Sequence, residues 1–142
     1  MTDDLDQELD RKKRYLKRYK KNLALIKRLN DKVINLEDRI TSSNSPTLSD
    51  MPRGGIPVTK QDLVDEKLET LERIKRLKAR GKRLKADILE KIDELEDIRY
   101  AEVAESFFIE CMDFEEIASS MGYSTRRIID LYGEAVKAIS LD

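Results

Sequence analysis

Apolar residues recur every three or four positions through two long segments of this 142-residue chain. One helical turn takes 3.6 residues, so this spacing gathers apolar side chains into a single narrow stripe along a helix. The first stripe consists of Leu16, Tyr19, Leu23, Ile26, Leu29, Val33, Leu36 and Ile40. A stripe this narrow covers one partner helix, and the pattern therefore predicts an all-α protein built from paired helices.

The first segment, residues 1–41, is predicted to form one long charged helix. No Gly or Pro occurs between Thr2 and Thr41, and the positions between the apolar residues hold mostly Lys, Arg, Asp and Glu. Charged residues make up 40% of the chain, which suits long solvated helices better than a thick globular core.

Residues 42–58 interrupt the pattern. All three Pro residues of the chain and the pair Gly54-Gly55 lie here, among several Ser residues. These residue types favour turns, and we expect a flexible linker. A phosphate-binding loop would also need Gly-Lys-Ser/Thr at the right spacing, which the chain lacks.

Residues 59–99 are predicted to form the second long helix. Thr59 followed by Asp62 is typical of a helix N-terminus. The apolar stripe continues as Leu63, Val64, Leu68, Leu71, Ile74, Leu77, Leu84, Ile88, Ile92, Leu95 and Ile98. Gly81 occupies a position of this stripe, which indicates close packing of a partner helix, a tolerated defect in the stripe, or a bend of the helix.

Two helices of similar length joined by a flexible linker predict a long antiparallel helical hairpin that resembles a coiled coil. Such a pair encloses little interior. We therefore expect either self-association through the remaining apolar edge, with a homodimer favoured, or docking of the C-terminal residues onto the hairpin.

Residues 100–142 have a different character, because Phe107, Phe108 and other bulky apolar residues indicate a compact unit. Asp113 is placed to cap a helix that starts at Phe114. Gly122 is placed to end that helix, and Ser124 to cap the next one. The order predicts a small C-terminal helix-turn-helix.

The spacing within this region matches a DNA-binding helix-turn-helix. Counted from Phe114, small Ala118 is fifth, Gly122 ninth and apolar Ile128 fifteenth. A small residue lets the two helices cross closely, Gly permits the tight turn, and an apolar residue fills the space between the helices. Plain packing of three helices needs the same residue types, so both interpretations stay open. If the second helix enters a major groove, the residues facing DNA are Ser124, Thr125, Arg126 and Arg127.

Charge complicates a DNA-binding role for this region. Residues 100–142 hold three basic residues against nine acidic ones, a net charge of −6, whereas affinity for DNA depends on neutralising phosphates. Residues 11–21 hold eight basic residues and no acidic one. This run is either a solvated helix face or a source of phosphate contacts. The candidates for these contacts are Arg11, Lys12, Lys13, Arg14, Lys17 and Arg18.

Catalytic, metal and membrane functions are disfavoured. The chain has no His, which removes the commonest general base and metal ligand, and its single Cys111 suits a reducing cytoplasm. No run of apolar residues is long enough to span a membrane. We expect no enzymatic activity, no cofactor and no bound metal.

The order of these elements resembles a known family. The linker SSNSPTLSDMPRGG at 42–55 and the terminal FEEIASSMGYS at 114–124, each preceded by a charged helix, are similar to small phage-encoded regulators of the RinA/ArpU type. Their C-terminus looks like region 4 of bacterial sigma factors. The resemblance implies a cytoplasmic phage or prophage protein that acts at a promoter on double-stranded DNA or on bacterial RNA polymerase.

The resemblance also implies which residues bind DNA. Ser124, Thr125, Arg126 and Arg127 would open the recognition helix, Tyr132 would lie further along it, and Lys137 completes the candidate set. The leading hypothesis is a non-enzymatic DNA-binding transcription regulator. The rival is a protein-interaction or scaffold module whose acidic surface binds a protein partner, with mimicry of DNA as a special case.

Overall fold

The computed structural model describes residues 2–42 and 58–142, and no β-strand occurs among them. The all-α class predicted from the spacing is confirmed. The described helices are α1 (Thr2–Leu16), α2 (Arg18–Ser42), α3 (Lys60–Asp93), α4 (Ile98–Phe108), α5 (Phe114–Met121) and α6 (Thr125–Ala138). Apart from Ser42 and Val58, the predicted linker at 42–58 lies outside the described residues.

The helix predicted over residues 1–41 is interrupted at Lys17, between α1 and α2. Arg18 Nε donates to the carbonyl of Tyr15 at 3.1 Å, and its guanidinium lies over the Tyr15 ring, 4.0 Å from the ring centroid. In an unbroken helix that carbonyl would accept from the amide of Tyr19. The interruption is local, because the amide of Lys21 still donates to the Lys17 carbonyl at 3.0 Å.

The second long helix begins as predicted but ends early. Thr59 and Asp62 form reciprocal side chain to backbone hydrogen bonds of 3.1 Å, which confirms the predicted N-terminus. The helix was expected to reach Arg99, whereas α3 ends at Asp93. Asp97 accepts from the amide of Arg99 at 2.9 Å and thereby caps a separate helix, α4.

The chain packs as two units. The first unit combines Met1–Asn22 with Gly81–Asp142, and the second is Leu23–Arg80. The sequence predicts a boundary at residue 100, whereas the two units divide between residues 22 and 23 and between residues 80 and 81. The residues after 100 do not form a unit of their own. They share a core with the start of the first long helical segment and with the end of the second.

The core of the first unit draws on all the helices that enter it. Phe108, Ile117 and Ile128 of the last three helices are fully buried in the same cluster as Leu16 and Ile88. The cluster is completed by buried Ile92, Val103, Ala104, Ile109, Ala118, Leu131, Tyr132, Ala135, Val136 and Ile139. Burial of this many large apolar side chains is the main stabilising contribution to the unit.

The second unit has a thin interior. Ile26, Leu29 and Val33 of α2 meet Ile74 of α3, with Leu77 partly buried beside them. Two ion pairs join the same helices, Lys32 to Glu66 at 3.1 Å and Lys67 to Glu37 at 3.3 Å. Several large apolar side chains of this unit stay exposed, namely Leu23, Leu25, Ile34, Val58, Leu68 and Leu71.

Candidate nucleic-acid interface

Helix α5 is fixed at its start by a pair of reciprocal hydrogen bonds. The Asp113 carboxylate accepts from the amide of Glu116 at 2.8 Å, and the Glu116 carboxylate accepts from the amide of Asp113 at 3.1 Å. The acidic side chains also lie at the positive end of the helix dipole. The predicted start of this helix is confirmed.

The turn between α5 and α6 is made by Gly122, which adopts φ 73° and ψ 28°. This left-handed conformation is strained for residues with a β-carbon. The amides of Gly122 and Tyr123 both donate to the carbonyl of Ala118. Ser124 then caps α6, with its Oγ accepting from the amide of Arg127 at 3.1 Å. The predicted helix end and the predicted cap are confirmed.

The residues that fill the space between α5 and α6 are buried as the spacing requires. Ala118 is 5% exposed and Ile128 is fully buried. The side chains of Ser124, Thr125, Arg126 and Arg127, by contrast, are exposed. Neither guanidinium forms an ion pair with a described residue. The first turn of α6 thus presents two arginines to solvent at the positive end of the helix dipole.

Tyr132, which the sequence analysis included among the DNA-binding candidates, does not belong to this exposed surface, because its side chain is buried. Its ring lies 4.9 Å from Phe107 and 5.2 Å from Phe114 in centroid distance, both edge to face. Phe107 in turn stacks on Phe114 at 4.9 Å and meets Phe108 edge to face at 5.0 Å. Burial in this aromatic cluster raises the pKa of the Tyr132 phenol above its ordinary value.

Lys137 is exposed but lies apart from the first turn of α6. It belongs to the last turn, about 20 Å along the helix axis from Ser124. Its ammonium lies 4.0 Å from the Glu134 carboxylate. The structure therefore does not bring Lys137 together with Arg126 and Arg127.

Several basic residues of α1 and the start of α2 are engaged inside the first unit. Lys12 Nζ donates to the carbonyl of Lys137 at 2.9 Å, so its charge offsets the negative end of the α6 dipole. Lys13 Nζ lies 5.9 Å from the Tyr132 ring centroid. Arg11 pairs with Glu8 at 3.0 Å, and Arg18 lies on Tyr15 as described above.

Arg14 and Lys17 differ from these four, because their side chains form no hydrogen bond or ion pair with a described residue. Of the six phosphate candidates, four thus contact another residue of the first unit, and two have no hydrogen bond or ion pair with a described residue. Two members of the basic run, Lys12 and Lys13, contact α6.

Two features were not identified from the sequence. Lys20 Nζ lies 3.7 Å from the Phe107 ring centroid, and burial lowers the pKa of this lysine. The sequence signal available for this contact was Phe107, because aromatic faces attract cations. The second feature is the segment 73–80 of α3, which contains five basic residues and no acidic one. A residue-by-residue charge count along that helix would have found it.

Within the described ranges, no helix is both long and apolar enough to cross a membrane. The same residues contain no group of three or more side chains suited to hold a metal ion. Comparison of the chain with protein-family models, curated proteins and solved structures gives no match. A functional assignment must therefore rest on the residues and their geometry.

Proposed function

We propose that this protein is a non-enzymatic, DNA-binding transcription regulator of phage or prophage genes that acts at a promoter in the cytoplasm of a host bacterium. The observation that carries the proposal is the turn at Gly122. It joins two short packed helices through a buried Ala118 and leaves the first turn of the second helix exposed. This is the arrangement that helix-turn-helix proteins use to place a helix in a groove.

In this proposal α6 is the recognition helix and enters the major groove by its N-terminal end. Arg126 and Arg127 supply guanidinium groups, which form paired hydrogen bonds with guanine. Thr125 and the exposed amide end of α6 are suited to phosphate oxygens. Because Asp130 and Glu134 lie further along the exposed part of α6, contacts are confined to its first turn.

The resemblance of residues 42–55 and 114–124 to regulators of the RinA/ArpU type supports the same function. That family's sigma-like C-terminus adds bacterial RNA polymerase as a partner at the promoter. We further propose that α2 and α3 form the antiparallel hairpin, supported by the Lys32–Glu66 and Lys67–Glu37 ion pairs. The exposed leucines of the second unit support a homodimer, since a second copy would cover them.

The second candidate function is a protein-interaction module that keeps this arrangement of helices and binds a basic protein partner. Its supporting observation is the net charge of −6 over residues 100–142. The engagement of Lys12, Lys13 and Lys20 inside the first unit adds to it, because these lysines then contribute little to a DNA contact.

A gel-shift series with the full-length protein and its own surrounding genomic DNA distinguishes the two candidates. We expect a retained, sequence-specific complex, and we expect Arg126→Ala combined with Arg127→Ala to abolish it at moderate salt. The matched control is Lys91→Ala with Arg99→Ala, which removes the same charge from the same unit and should preserve the specific complex. Unchanged specific binding by the Arg126/Arg127 variant would exclude α6 as the recognition helix. Absence of any salt-sensitive shift would favour the protein-interaction module.

A further inference from the structure

The second unit separates its charges along its length. Residues 23–30 of α2 and 73–80 of α3 contain basic residues and no acidic one. We call these two segments the basic half of the unit. All of its basic side chains are exposed: Lys27, Arg28, Arg73, Lys75, Arg76, Lys78 and Arg80.

The remaining described residues of the unit, 31–42 and 58–72, carry eight acidic side chains against four basic ones. Both ion pairs of the unit among described residues, Lys32 with Glu66 and Lys67 with Glu37, lie there. The basic half has none. Its positive charge is therefore not neutralised by an ion pair with any described side chain.

Three arginines of the basic half converge. Arg28 of α2 with Arg73 and Arg76 of α3 line a shallow depression of about 160 Å³, whose other lining residues are Leu25, Leu29 and Leu77. The three guanidinium groups are therefore the charged groups that line this depression. Guanidinium groups also match phosphate geometry with paired hydrogen bonds.

We propose that the basic half of the second unit binds the phosphate backbone of double-stranded DNA. This deepens the proposed function and rests on it, because it adds positive charge for phosphate contacts to a protein whose residues 100–142 hold only three basic side chains against nine acidic ones. Phosphate neutralisation provides most of the sequence-independent affinity of DNA-binding proteins. In this protein, Arg126 and Arg127 select the sequence and the basic half provides the affinity.

The linear arrangement of the charges favours a duplex. Arg73, Arg76 and Arg80 follow one another at spacings of three and four on one side of α3. They span about 10 Å of helix axis, over which one DNA strand presents about three phosphates. The acidic remainder of the unit is repelled by the same duplex, so contact is confined to the basic half.

The test measures the affinity of the full-length protein for a labelled random-sequence duplex and for the labelled genomic fragment by fluorescence anisotropy, across a salt series of about 50 to 200 mM. Arg28→Gln, Arg73→Gln and Arg76→Gln are combined in one variant. We expect the slope of log K against log salt to fall by about 2 to 3, and the affinity at the lowest salt to weaken at least about tenfold.

Two matched variants control for the number and for the type of the charges removed. Arg39→Gln with Lys60→Gln and Lys91→Gln removes the same charge from outside the basic half, keeps the Lys32–Glu66 and Lys67–Glu37 ion pairs, and should leave the slope unchanged. Arg28→Lys with Arg73→Lys and Arg76→Lys keeps the charge and should retain most of the slope, because a point charge suffices to displace a counterion. Circular dichroism of each variant confirms that the helices are intact.

The results separate this proposal from the function on which it rests. A preference for the genomic fragment with an unchanged slope in the Arg28/Arg73/Arg76 glutamine variant overturns the basic half as a DNA contact and leaves the regulator intact. An equal fall in slope in both glutamine variants also overturns it. A third outcome is binding without sequence preference, in which the slope of log K against log salt falls only in the Arg28/Arg73/Arg76 glutamine variant. This outcome supports the basic half and overturns sequence-specific binding by α6. No binding to either duplex overturns both.

Discussion

Gly81 faces the side chain of Asn22 so closely that a β-carbon at position 81 would lie 2.7 Å from Asn22 Nδ2. Both residues are buried in the first unit, Asn22 with 3% exposure. Helix α3 continues through Gly81 without interruption. Of the three interpretations offered by the sequence, close packing is therefore supported, because a β-carbon at position 81 would require the Asn22 amide to move.

Substitution of Gly81 by Ala is expected to destabilise the protein by a net amount of up to about 2 kcal/mol, because a side chain forced into filled space costs about 1 to 3 kcal/mol. The gain in helix propensity, about 1 kcal/mol, offsets only part of this cost. Urea unfolding followed by circular dichroism gives the free energy. A stability equal to or above that of the parent protein would show that Asn22 moves aside without cost.

Gly133→Ala is the matched substitution in α6, and the opposite sign is expected. A β-carbon at position 133 would meet nothing within 4 Å. Replacement of a glycine within a helix should then raise the free energy of unfolding by about 0.5 to 1 kcal/mol. The same urea titration measures it, and a loss of stability would indicate that Gly133 has a close neighbour in solution.

Gly122→Ala tests the turn at the candidate interface. The added β-carbon would meet nothing within 4 Å, but φ at this position is 73°. The expected cost is therefore conformational, about 1 to 2 kcal/mol. Gly122→Asn, which tolerates the left-handed region better, should recover part of the loss. Equal stability of all three proteins would contradict a left-handed residue 122.

Lys12→Gln removes the ammonium that donates to the Lys137 carbonyl at 2.9 Å. The expected loss of stability is about 0.3 to 1 kcal/mol, because a cation near the end of a helix interacts favourably with its dipole. Hydrogen exchange of the amides in the last turn of α6 should accelerate as that turn loosens. Exchange rates that match those of the parent protein would show that Lys12 does not stabilise the last turn of α6.

We expect the stability of the protein to change at alkaline pH because the Tyr132 phenol is buried. Burial raises the pKa of this phenol in the folded protein above the ordinary value near pH 10. Its contribution is therefore fully present below about pH 10 and is lost as the pH rises towards the folded-state pKa. Tyr132→Phe should lose less stability across that interval, as measured by urea midpoints. Tyr123→Phe is the exposed control, and an identical alkaline loss in all three proteins would contradict burial of the phenol.

Local structure could largely be predicted from the sequence, because single residues determine it. Asp113, Gly122 and Ser124 each lie where their hydrogen bonds or backbone preference place a helix end. The second helix was extended too far because the apolar stripe includes Leu95 and Ile98 at helical spacing. That spacing carries no information about Asp97, whose carboxylate starts a new helix.

The site was harder to predict because it depends on contacts between distant segments. Tyr132 was assigned to a DNA-facing surface, but α6 buries a wide side that also includes neighbouring Leu131. The phosphate candidates of α1 were chosen by charge alone. Nothing in that run indicates that Lys12 and Lys13 contact α6, since the partners lie more than 100 positions away in the chain.

The shared core of the first unit also sets the order in which the protein can fold during synthesis. Leu16 leaves the ribosome long before Ile128 and Val136, with which it shares a cluster. Domains fold as units once their residues have emerged. A nascent chain that ends before α6 consequently holds Leu16 without its final partners, and the arginines at the start of α6 become correctly oriented only when the last helix docks. The proposed recognition helix is thereby completed only in full-length chains.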